Sequence, residues 1–200
     1  MDERSSINEA LREAAAALDA CARTETFVDA VAHFARLAGD VLAAGGRLMA
    51  CGNGGSLSQA THFAQEWTGR FRHDRRALPA LAFSDPTQLS CIANDYGFDE
   101  VFARQVEAQG RSGDLLLLLS TSGSSANVIR AARAARSLRV HTVGLLGRSG
   151  GKLAGEVDVP IVVPRATTSD RIQEIHLQVL HSVIEAVERR LFPESYGSES

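Results

Sequence analysis

Cysteine is scarce. Three stand in 200 residues, at 21, 51 and 91, odd in number and without metal-ligand spacing. That argues against a disulfide framework, a cysteine-held metal or a cysteine nucleophile, and three reduced thiols are expected. Long apolar runs are missing too. The longest, Leu115 to Leu119, has the length of a buried strand, far short of a membrane span. Residues 1–23 are polar and alanine-rich with no apolar signal core, so a cytoplasmic location is expected. Neither sign of charge dominates: 21 Lys and Arg against 24 Asp and Glu leave a net charge of −3, which supplies no general electrostatic drive toward nucleic acid. Two familiar phosphate-binding signatures are absent. The run Gly52-Asn53-Gly54-Gly55-Ser56 lacks the Gly-Lys-Ser/Thr ending of a nucleotide P-loop, and its glycines miss the third position of the dinucleotide fingerprint.

What remains is a 44% hydrophobic chain of single-domain size with a regular alternation of elements. Residues 7–22 carry Leu11, Ala15, Leu18 and Cys21 at helical spacing, and a second helix runs over 25–42 to a stop at Gly45-Gly46. Their narrow apolar stripes suit packing on a sheet or against another subunit. Strands are expected at 47–51, 78–83, 115–120, 140–146 and 157–163. Helices are expected at 56–67, from 87 to 96, and at 98–109, 128–136 and 171–190. Leu115 to Leu119 shows no alternation, the mark of a strand buried on both faces of a parallel sheet. Pro160 demands an edge strand. The prediction is an α/β three-layer sandwich: a five-stranded, mostly parallel sheet over 46–192, two extra N-terminal helices over 1–44, one domain over 1–195, and a tail that frays from 193.

Ligands of such sheets bind beyond the carboxyl ends of the strands, and two unusual loops lie there. The first, Gly52 to Ser56, lets a backbone approach closely, and its following helix offers free N–H groups. The second, Ser120-Thr121-Ser122-Gly123-Ser124-Ser125, places hydroxyl donors at a helix start, a neutral match for phosphate oxygens. On the first helix His62 and Glu66 share a face at i and i+4. Such a pair holds a metal or divides acid and base work, although a simple surface hydrogen bond is the commoner case. The last helix offers Asp170, Gln173, Glu174, His176 and His181. Gln173 and His181 are separated by about 12 Å along the axis, a wide span for one metal; spacing leaves His176 and His181 both open. The run 69–76, with Arg70, Arg72, Arg75 and Arg76, is either a cationic grip on an anion or, more commonly, a solvated surface. His73 is expected at the surface, and His141 to pack within its strand.

Taken in order, Cys51-Gly-Asn-Gly-Gly-Ser56, His62-Phe-Ala-Gln-Glu66, Ala93-Asn-Asp-Tyr-Gly97, Ser120-Thr-Ser-Gly-Ser124, Gly150-Gly151 and Arg171-Ile-Gln-Glu-Ile-His176 through His181 resemble the sugar-isomerase (SIS) family, and within it the phosphoheptose isomerases. Each motif is modest, but the ordered set covers nearly the whole chain. The resemblance implies a flavodoxin-like fold and a cytoplasmic homotetramer with active sites between subunits. It implies interconversion of sedoheptulose 7-phosphate and D-glycero-D-manno-heptose 7-phosphate through an enediol, at the first step toward activated heptose, with lipopolysaccharide among the products it could feed. It assigns one zinc per subunit to His62, Glu66, Gln173 and His181, so its choice falls on His181 over His176. Substrate contacts fall on Asn53, Gly54, Gly55, Ser56, Glu66, Asn94, Asp95, Ser120, Thr121, Ser122, Ser125 and Gln173. Glu66 and His181 are the expected catalytic pair, base and acid–base partner. The alternative is a non-catalytic SIS protein that binds a sugar phosphate or a replication initiator. That branch resembles the chain in its loops but lacks counterparts of Glu66 and His181.

Overall fold

Five consecutive leucines fix the centre of the molecule. Leu115 to Leu119 lie in strand β3 (Leu115–Ser120), and every one is fully buried. Leu115, Leu117 and Leu119 point into one apolar cluster, and Leu116 and Leu118 into another. An uninterrupted apolar run is tolerated because both faces of the sheet are covered. The computed structural model describes residues 2–166 and 168–197. The sheet order is β2-β1-β3-β4-β5, with β1 (Leu48–Gly52), β2 (Ala80–Ala82), β4 (His141–Leu146) and β5 (Val159–Val162). All four pairings are parallel.

The helices are α1 (Glu3–Ala22), α2 (Glu25–Ala43), α3 (Gly55–Thr68), α4 (Pro86–Tyr96), α5 (Ala103–Gln109), α6 (Ala126–Ser137) and α7 (Ser169–Leu191). Residues of α1, α2, α3 and α7 share the cluster on one face. Those of α4, α5 and α6 belong to the other. The strand order reverses direction between β1 and β3, which pair directly from Leu48↔Leu115 to Gly52↔Leu119. The two special loops leave these neighbouring strands at the same end, where such sheets open a crevice for ligands.

Pro160 sits on β5, an edge strand, and is exposed there. Three expectations are corrected. The helix foreseen over 98–109 is broken into a 3-10 turn, Phe98–Glu100, and α5, so that Val101 and Phe102 are buried while Phe98 remains 61% exposed. Strand β2 is only three residues long, because the Leu78 N–H donates to the Trp67 carbonyl at the end of α3 instead of joining the ladder. His141, expected to pack inside its strand, is the exposed first residue of β4. The tail expected to fray from 193 begins with a 3-10 turn, Pro193–Ser195, and the Tyr196 hydroxyl donates to Glu188 over 2.9 Å. Residues 198–200 of that tail lie outside the described residues.

Candidate active site

The helices α3 and α7 lie side by side with matched direction. Contacts climb both together: Gly55 against Gln173, Gln59 donating to the Gln173 carbonyl at 2.6 Å, His62 against His181, and Arg72 against Glu185 at 2.8 Å. This register brings His62 and His181, 119 residues apart in sequence, to an Nε2–Nε2 distance of 2.9 Å. Glu66, one turn beyond His62, places a carboxylate oxygen 3.3 Å from His62 Nε2. One donor atom from each of the three lies within 4.8 Å of the others. Ligands of a tetrahedral zinc at about 2.0–2.1 Å stand roughly 3.3 Å from one another. The observed spacing and the two-imidazole, one-carboxylate donor set therefore fit such an ion. His176 has no part in this group: it is fully buried between α7 and the sheet.

Gln65 steadies the group from outside, donating from Nε2 to the Glu66 carboxylate at 2.7 Å. Phe71 lies against His181 with ring centroids 5.8 Å apart. Burial lowers the His181 pKa, the positive charge possible on His62 lowers it further, Glu66 opposes, and Arg72 adds to the lowering. The ring is thus kept neutral at ordinary pH, the form that ligates a metal or accepts a proton.

Gln173 stands elsewhere in the chain's own geometry. Its amide packs on Gly55, where an added Cβ would meet Gln173 Nε2 at 2.6 Å and push the amide aside. Its side chain thus meets the start of α3, seven residues before His62, rather than the three-residue group. The wide separation of Gln173 and His181 on α7 is visible here as two different contacts with α3.

The two loops meet at the starts of α3, α6 and α7. Asn53 and Asn127 exchange a pair of amide hydrogen bonds, each 2.9 Å, that tie the glycine loop to the start of α6. Asn127 was not singled out from the sequence. Its position at the end of the hydroxyl loop was the available signal. Gly54 and Gly55 are exposed, and Ser56 is buried in the first turn of α3. In the second loop the Ser120 hydroxyl accepts from the Gly123 N–H at 3.0 Å and Ser122 from the Ser124 N–H at 3.2 Å, so both shape the loop. Thr121 lies 3.3 Å from the Ser169 hydroxyl at the start of α7. Ser125 is the residue preceding α6 and makes no side-chain capping bond. Gly123, at φ +62°, touches the turn after β4. A Cβ there would lie 1.9 Å from the Gly150 carbonyl oxygen, so the loop's course depends on glycine. Asn94 and Asp95, on the last turn of α4, are exposed and bonded to each other at 2.8 Å.

The charged run 69–76 is not a solvated surface throughout. The Arg75 side chain is 1% exposed and paired with Glu188, and Arg72 is paired with Glu185. His73 packs edge-on against Tyr196 with centroids 4.5 Å apart. Both arginines face α7 glutamates, Arg75 buried and Arg72 with its side chain 51% exposed.

A family model described as the SIS domain matches residues 11–147. Among curated relatives, a phosphoheptose isomerase of Fusobacterium nucleatum is 51% identical over 160 residues, covering 80% of this chain and 82% of that one. A phosphoheptose isomerase of Escherichia coli is 46% identical over 185 residues, covering 92% and 96%. Among solved structures, phosphoheptose isomerase GmhA of Neisseria gonorrhoeae superposes with a TM-score of 0.87 at 38% identity, covering 94% of this chain and 99% of that one. A phosphoheptose isomerase of Francisella tularensis gives 0.90 at 32%, covering 94% and 100%. The chain belongs to the SIS-domain family and, within it, to the phosphoheptose isomerases.

Proposed function

We propose that the chain is an aldose–ketose isomerase that converts sedoheptulose 7-phosphate to D-glycero-D-manno-heptose 7-phosphate, the first step toward activated heptose. The observation that carries this reading is the closure of His62, Glu66 and His181 into one group on two helices, α3 and α7, whose starts meet two ligand-ready loops. Moving a proton between adjacent sugar carbons needs a base, an acid and stabilisation of a developing oxyanion. Glu66 takes the proton from the carbon next to the carbonyl, giving the enediol, and returns it to the neighbouring carbon. His181, held neutral by its surroundings, exchanges the proton on the adjoining oxygen. The hydroxyl loop with Thr121 and Ser125, together with the N-terminus of α6, holds the phosphate and fixes the reacting carbons in reach. Asn53, Gly54, Gly55 and Ser56 line the sugar.

His62, Glu66 and His181 would hold one zinc, with Gln173 as the fourth ligand. When bound, the ion supplies Lewis-acid polarisation of the substrate oxygens. The working assembly is a homotetramer with active sites between subunits. Supporting this are exposed apolar side chains on α1 and α2 (Ile7 at 61%, Leu11 at 66%, Val28 at 47%) and exposed Tyr96 and Phe98. Asn94 and Asp95, exposed on the last turn of α4, contact the substrate. The unpaired thiols suit the reducing cytoplasm.

Glu66→Gln tests the assignment. Isomerisation is expected to fall about 10²- to 10⁴-fold, the range for loss of a general base, while sugar-phosphate binding by calorimetry is retained. Turnover at the parental rate would remove Glu66 from the mechanism. Binding without any turnover in the parent protein would favour a non-catalytic sugar-phosphate binder.

A further inference from the structure

We infer that Arg75 is a positioning residue that sets the separation of α3 from α7 and thereby the geometry of Glu66 against His181. The inference rests on the reading of these two residues as the working pair. The guanidinium lies at the carboxyl end of α3, where the last carbonyls of a helix have no partner within it. Nη2 donates to the carbonyl of Glu66 itself at 2.7 Å, and Nη1 to the carbonyls of Trp67 at 2.8 Å, Gly69 at 3.0 Å and Arg76 at 3.2 Å. Nε donates to Glu188 Oε1 of α7 at 2.7 Å, both side chains being 1% exposed. The second Glu188 oxygen accepts from the Tyr196 hydroxyl. One planar cation therefore caps the helix that carries His62 and Glu66 and fastens it to the helix that carries His181.

Lysine cannot reproduce this. Its ammonium is a single point with three donors, whereas the guanidinium presents five in a rigid fork and contacts carbonyls and carboxylate at once. The cation also stands at the negative end of the α3 dipole, where it is favoured. Removing it frees the last turn of α3, the turn that holds Glu66, to shift relative to α7. A misplacement of about 1 Å at reacting groups costs on the order of 100-fold in rate.

The test compares the parent protein with Arg75→Lys, Glu188→Gln and the double variant Arg75→Met with Glu188→Leu, each read by kcat and KM for sedoheptulose 7-phosphate, zinc affinity by chelator competition, and thermal unfolding. In Arg75→Lys kcat is expected to fall at least 10-fold with KM within about 3-fold, and zinc affinity to fall alongside. The apolar double variant is expected to recover thermal stability, as buried ion pairs replaced by apolar residues often do, without recovering kcat. A kcat that returns together with stability would show a merely structural role and overturn the inference. So would parental kcat in folded Arg75→Lys. Should Arg75→Lys fail to fold, Glu188→Gln is decisive: a 3- to 10-fold loss of kcat at unchanged KM supports the inference, and full kcat overturns it. An inactive parent protein would instead sink the isomerase reading, so the two failures are distinguishable.

Discussion

His176 makes the stability of this protein depend on pH in a calculable way. The ring is fully buried under α7, and neither nitrogen has a hydrogen-bond partner among the described residues. The Leu146 backbone lies near enough to favour the charged ring slightly but outside hydrogen-bonding geometry; burial dominates and pushes the pKa from 6.5 down to about 4. The unfolded chain binds a proton there near pH 6.5, whereas the native chain does so only near 4. Stability is therefore full above pH 6.5, falls as pH drops from 6.5 toward 4, and levels below. At 1.36 kcal/mol for each pH unit between the two values, the loss is about 3 kcal/mol. His176→Leu, close in volume and without polar atoms to satisfy, is expected within about 1.5 kcal/mol of the parent at pH 8. It lacks the acid-dependent loss. Urea unfolding of both proteins at equal concentration, at steps from pH 8 to 4.5, isolates the effect, because every other titrating group is shared. A stability difference between the two that stays constant over this range would refute the buried, neutral ring.

Gly123→Ala puts a Cβ within 1.9 Å of the Gly150 carbonyl oxygen at a φ of +62°. It is expected to destabilise by about 2 kcal/mol or more and to weaken inorganic phosphate binding, both measurable by denaturant melts and calorimetry. Zinc is expected to raise the melting temperature of chelator-treated protein in proportion to its occupancy, about 2.7 kcal/mol at 100 times its dissociation constant. His62→Ala should abolish that rise, and an unchanged rise would place the ion elsewhere. Cys21 and Cys51 are buried, and burial pushes the Cys21 thiol up to about 11 and the Cys51 thiol further. Mass spectrometry after brief maleimide treatment should find Cys91 alone modified, and all three thiols only after denaturation.

Much of this was legible in the chain, because local chemistry determines it. The unbroken leucines of β3 fixed a parallel sheet covered on both faces, Pro160 fixed an edge, and Asp85-Pro86 fixed the start of α4, where the Asp85 side chain accepts from the Gln88 N–H. Helical spacing put His62 and Glu66 on one face. Spacing could not choose between His176 and His181, since both lie on α7 and differ only in which way α7 turns. The side-by-side register of α3 and α7 settles it, with His181 2.9 Å from His62 and His176 against the sheet. The same register took Arg75 out of an otherwise exposed arginine run and made it a buried cap, because its partner Glu188 lies more than a hundred residues away. Sequence determines periodicity, turns and the inventory of donors. Which donors meet is decided by packing of apolar faces, a property of the whole core that no local stretch contains.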